Sequence, residues 1–220
     1  MPQVDGVTYP PPPRSESHWP AIATVVVAIG LQVALPNRLS LYSRWILPPL
    51  ETIMLLALLF GAPLRVQAPH SRRHTLMLST TILASVGNGI ALVELCRLLF
   101  IHNVQKPHQL ILAGTLIWLT NVLIFSLWYW EADRGGPGQR AAALDEEPDF
   151  LFPQMTVLEL FPEWRPRFLD YLYVSLTNAT AFSPTDTMPL TPEAKLMMGI
   201  QSLVSLVTIG LVVARAVNIL

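Results

Sequence analysis

Five long apolar runs separated by short polar turns limit how this chain can fold: residues 21–35, 45–64, 75–100, 109–130 and 193–220. A helix that crosses a bilayer needs ~20 mostly apolar residues. The first run is short, but Trp19 and Pro20 extend it into the interfacial zone that favours Trp. Only 13% of the 220 residues are charged, against about 25% in soluble domains. The sequence therefore predicts an all-α fold, an integral membrane helical bundle with the lipid bilayer as its main partner. A net charge of −1 gives no footprint for nucleic acid. The lone Cys96 lies in an apolar run and reads as a small core residue.

The punctuation divides the chain into four regions. Residues 1–19 carry four prolines in a row between Tyr9 and Arg14 and read as a disordered Pro-rich tail. Residues 20–130 form a four-helix transmembrane region. Within it, Gly87, Asn88 and Gly89 sit mid-run, where small residues permit close helix contact. Trp128, Tyr129 and Trp130 close the fourth run in the manner of an aromatic belt. Residues 131–165 read as a cytosolic or external linker, flexible where Gly135, Gly136, Pro137 and Gly138 break any helix, and interfacial from Phe150 to Trp164. Residues 166–220 form the last module. Lys and Arg are divided between the two loop sets, so they bias orientation only weakly.

In that module, residues 168–180 form a short amphipathic helix, 181–192 a tight polar loop, and 193–220 a long apolar helix. Non-helical backbone at membrane depth persists only where it is buried in protein or faces water. The pattern therefore suggests a re-entrant element, with one re-entrant pore-type helix added to about five transmembrane helices. The residues of this stretch resemble the pore module of potassium-channel-like ion channels. Tyr173, Ser175, Asp186, Pro189 and Thr191 match that family's pattern without a gap, and Lys195 falls where the family often has a basic residue. The resemblance implies a pore helix carrying Tyr173, Ser175, Thr177 and Asn178, and a filter-like loop of Thr180, Ala181, Phe182, Ser183, Pro184, Thr185 and Asp186. Gly210 would be the analogue of a gating hinge, although packing is the commoner role of such a glycine. Both filter glycines are absent, and Pro184 restricts its own backbone and that of Ser183. The module's fold is carried over; potassium selectivity is not. The stretch from Trp128 to Glu131, through Asp133 to Pro137 and on to Asp149–Pro153, also resembles an uncharacterised bacterial membrane family, which brings no activity with it.

Ionisable groups inside spans call for a functional hypothesis. Glu51, Glu94 and Arg97 form the candidate intramembrane charge cluster, with a Glu51–Arg97 bridge as its concrete form and headgroup tethering as the alternative. Asn88 and Asn121 are expected to hydrogen-bond between neighbouring helices. No catalytic constellation, metal-ligand spacing or cofactor motif is visible, so catalytic residues, metal and cofactors are all expected to be none, and the chain is not expected to be an enzyme. The expected function is weakly selective or absent permeation of monovalent cations through a homotetramer in the bacterial inner membrane. The alternative is a non-conducting accessory subunit or a small-solute transporter.

Overall fold

The computed structural model describes residues 16–36, 43–61, 72–100, 107–142, 147–157, 159–162, 164–180 and 186–217. Eight helices follow in chain order: α1 (Trp19–Ala34), α2 (Ser43–Gly61), α3 (Arg72–Phe100), α4 (Pro107–Ala132), α5 (Pro137–Ala142), α6 (Pro153–Thr156), α7 (Phe168–Thr180) and α8 (Pro192–Val217). A 3-10 turn, Asp133–Gly135, joins α4 to α5, and two short strands, β1 (Phe150–Leu151) and β2 (Met188–Pro189), pair antiparallel. The fold is all-α in class. Among the described residues three stretches are long and apolar enough to cross a membrane: Arg73–Leu98, His108–Gly135 and Pro192–Ala214. Trp19–Ala34 and Leu47–Phe60 are shorter apolar helices.

The apolar runs foretold the long helices to within a few residues, because each run ends where Pro, Gly or charge interrupts it. α4 is the central helix and packs against α1, α3, α7 and α8. Its second half, from Thr120 on, has no exposed position and is buried at Thr120 to Val122 and Tyr129 to Glu131, as expected of a covered helix, whereas Leu112, Thr115 and Leu119 leave one exposed face in its first half. It runs antiparallel to its neighbours. His18 and Glu16 before α1, and His74 at the start of α3, all meet the last turn of α4. At the other end, Gly114 of α4 lies against Val212 of α8.

Glycines allow two of the close approaches. A side chain at Gly87 would meet Gln32 of α1 and Leu47 of α2, each at 3.3 Å. This is the close contact expected of the Gly87–Gly89 stretch, although Gly89 itself faces open space. At Gly114 a Cβ would lie 2.2 Å from Val212 Cγ2, so α4 and α8 can touch only because that position is bare.

The path of α7 places the site. Its first turn meets the end of α4, where Phe168 packs edge-on against Trp130. Its last turn reaches Trp118, whose indole N–H donates to the Ala179 carbonyl at 3.4 Å. Between these points α7 descends α4 by about 20 Å, at 1.5 Å per helical residue. The chain is next described at Asp186, and by Met188 it is paired with β1 beside the end of α4 where α7 began. α8 then runs in the same direction as α7.

Two expectations for this region are corrected. Trp128, Tyr129 and Trp130 are not an outward belt: Tyr129 and Trp130 are wholly buried, and the half-buried Trp128 donates to Ser85 Oγ at 3.0 Å. The glycine-rich stretch after α4 is not a loose linker in its described part. Arg134, Gly135 and Gly136 take consecutive positive φ angles of 50°, 70° and 98°, which turns the chain back over the bundle. Glycine is the residue that adopts such angles at little cost. At Gly136 a side chain would also press on the His74 ring at 3.1 Å.

Candidate functional site

Two connected sets of buried polar side chains surround α7. The first is a clasp over the end of α4. Asp133 is fully buried; it accepts from the Tyr171 hydroxyl and from the Asp149 backbone N–H at 2.9 Å. Asp149 in turn accepts from Arg134 N–H at 2.8 Å and from the Thr191 hydroxyl at 2.7 Å. Thr191 caps α8 through the Ala194 N–H. One acid pair therefore ties the turn after α4 to the start of α8 and to α7.

Arg140 and Glu16 form the other half of the clasp. Arg140 donates to the carbonyls of Trp130 and Asp133 at 2.6 and 2.8 Å and to Glu16 at 3.2 Å. Its guanidinium lies over the Tyr171 ring at 5.1 Å. Glu16 also accepts from the Trp130 indole and from the Phe168 N–H, each at 2.8 Å. A buried charge is tolerated only when paired and hydrogen-bonded in this way. Next to this group His74 and Glu131 form a 2.5 Å ion pair, with Glu131 almost fully buried.

His18 packs edge-on against Trp130. Burial, and then the positive charge of Arg73, pull its imidazole from the ordinary 6.5 down to about 4. The sign follows directly. The unfolded chain takes up this proton near pH 6.5 and the folded chain only near pH 4, so the unfolded state binds more protons in between. Stability is full above pH 6.5 and declines as the pH falls towards 4. Melting temperatures across that window should show this slope, and His18→Gln should flatten it.

The second set is a polar spine between α4, α7 and α8. Gln201, fully buried on α8, is its centre. Its Oε1 accepts from the Tyr129 hydroxyl at 2.5 Å and from Asn178 at 2.8 Å. Its Nε2 donates to the Ser175 carbonyl and hydroxyl at 2.9 and 2.7 Å. The Ser175 hydroxyl donates to the Val122 carbonyl at 2.6 Å. Asn178 accepts from Ser202 at 3.0 Å, and one turn further along α8, Ser205 accepts from Asn121 at 2.9 Å. Every buried group on this face of α7 has a partner, as the cost of an unmade bond requires.

The residues picked out in the sequence fall as follows. Ser175 and Asn178 belong to the spine, facing the protein's own helices. Tyr173 is exposed, and the Thr177 hydroxyl bonds back to its own helix at Tyr173 O and Val174 O. Thr180 does the same to Thr177 O, and Asp186 is exposed. Ala181, Phe182, Ser183, Pro184 and Thr185 lie outside the described residues. Gly210 meets nothing within 4 Å, so within this chain it is not a packing glycine, and α8 runs on through it as one helix.

The Glu51–Arg97 bridge does not form. Arg97 is exposed and bonds Glu94, one turn away, at 3.0 Å. Glu51 is wholly buried, and neither carboxylate oxygen has a hydrogen-bond partner. The reason lies in register. Leu47 meets Gly87, so Glu51, one turn on, stands near Ala84, about 20 Å along α3 from Arg97. The expected Asn88–Asn121 pairing is also replaced, since Asn121 turns to α8.

Asp133, Arg140, Asp149, Glu16 and Gln201 were not singled out as site residues. Their signal was faint: a polar residue in a mostly apolar helix for Gln201, charged residues flanking a glycine-rich turn for Asp133, Arg140 and Asp149, and a lone acid in the N-terminal tail for Glu16. Among the described residues no group of three or more His, Cys, Asp or Glu could hold a metal ion. No protein-family model, curated protein or solved structure matches the chain.

Proposed function

We propose that this is a multi-pass protein of the bacterial inner membrane, with about five crossings, and that α7 with the turn after it is a re-entrant pore-loop element. Four copies would arrange these modules around an axis and give weakly selective permeation of monovalent cations, or none. The carrying observation is the path of α7: 13 residues, or about 20 Å, is too short for a ~30 Å hydrocarbon layer. Its two ends also connect to the same end of the bundle. The outward faces of α7 and α8 support assembly with lipid or with further copies: Leu169, Tyr173, Leu196, Ile200 and Leu203 are large and exposed.

The second reading, a non-conducting accessory subunit or a small-solute transporter, is favoured by the polar spine. Ser175 and Asn178 are already engaged by α4 and α8, which leaves them unavailable to a permeating ion. Mass measurement in detergent followed by ion flux in liposomes separates the two. The pore reading expects a tetramer and a cation leak with little discrimination between sodium and potassium. A monodisperse monomer with tight vesicles leaves only the second reading.

A further inference from the structure

Glu51 is used neither by the clasp nor by the polar spine. It lies in α2 between α1 and α3, with none of its surface exposed and both carboxylate oxygens without a hydrogen-bond partner. No charged residue occurs on α1, and on α3 none occurs between His74 and Glu94. On α2 the only other charged residue is Arg44, two turns earlier. The polar side chains of the facing helices are committed or sparse. Gln32 turns its amide towards the Ala84 carbonyl at 3.4 Å. Thr80 and Thr81 bond back to the carbonyls of Leu76 and Met77 at 2.7 and 2.8 Å.

An ionised carboxylate in such a place, with no counter-charge and only the Gln32 amide, already turned to the Ala84 carbonyl, as a donor beside it, is very unfavourable. A metal cation would need a shell of six or so oxygens, and the surroundings offer too few. A proton needs neither a cavity nor a shell. We infer that Glu51 is a proton-binding site of the α1–α2–α3 junction, holding a neutral carboxylic acid at physiological pH and releasing the proton only when that junction opens to water or the pH is raised. The binding step is simple addition of H⁺ to the carboxylate, with no other reactant. The site is separate from α7, so it stands or falls independently of the pore reading.

The test uses the full chain in detergent or liposomes and a hydrophobic carbodiimide, which reacts with protonated carboxyls in apolar surroundings. Mass spectrometry of peptides should locate the adduct at Glu51 at neutral pH, with labelling lost as the pH is raised and absent from Glu51→Gln. That substitution keeps the shape of a neutral acid and should leave the melting temperature unchanged. Absence of an adduct at neutral pH, or labelling that does not respond to pH, would overturn the inference. So would a Glu51→Gln protein that fails to fold or melts well below the parent, since that would mean the native group is a charged, paired carboxylate.

Discussion

Asp133→Ala should lower stability by about 2–6 kcal/mol, the cost of leaving two buried donors without their acceptor. The side chain has no exposed surface. Its loss strands the Tyr171 hydroxyl and the Asp149 N–H, and an unsatisfied buried group costs about 1–3 kcal/mol. The effect should spread, because Asp149 also holds Arg134 and Thr191. Total stabilities are about 5–15 kcal/mol, so the clasp should open well before the helices melt. Limited proteolysis should then cut within residues 133–142 or 147–157 faster than in the parent. Tyr171→Phe should cost less, since Asp133 keeps the Asp149 amide. Tryptophan fluorescence during denaturant unfolding would report the change through Trp130. A shift under 0.5 kcal/mol for Asp133→Ala would mean that the clasp is not what holds α7.

The second large effect is steric. Gly114→Ala introduces a methyl group whose ideal position is 2.2 Å from Val212 Cγ2. A valine γ-carbon has no flexible end to swing aside, so α4 and α8 must separate or the backbone must shift. Overpacking of this kind costs about 1–3 kcal/mol. Val212→Ala alone should be milder, and in the double variant it should return most of the loss. That coupling, measured in a double-mutant cycle, identifies the contact between these two positions. Additive losses would place the strain elsewhere.

Much of the architecture could be read from the chain, because apolar length and helix-breaking residues act locally. α3 and α4 begin and end within three residues of the apolar runs. An acid in the first turn of a helix is readable from sequence in the same local way, and Asp170 of α7 stands there, its carboxylate accepting from the Arg167 N–H at 2.7 Å. What could not be read was rotation and register. Three aromatics at the end of a helix have the same sequence whether they face lipid or a chain folding back over them. Here the turn at Arg134–Gly136 folds back, so Tyr129 and Trp130 are core. A glycine-rich stretch likewise reads as loose until its positive φ angles are seen to drive a tight reversal. Counting from helix ends sets Glu51 and Arg97 at one depth, which is the basis of the expected bridge. The count failed because α3 extends about two turns beyond the start of α2, once Leu47 is set against Gly87. The spine was half visible. Ser175 and Asn178 could be picked out on α7, but their partner Gln201 lies in a helix whose other residues gave no reason to choose it.

Accessibility of single cysteines from the two faces of a membrane tests the central claim most directly. In a Cys96→Ser background, cysteines at Gln139, Asp186 and His108 would be probed with an impermeant thiol reagent on sealed vesicles of known orientation. If α7 enters and returns, Gln139→Cys and Asp186→Cys label from one face and His108→Cys from the other. Labelling of Asp186→Cys from the same face as His108→Cys would mean that α7 crosses outright, and the re-entrant account would be wrong.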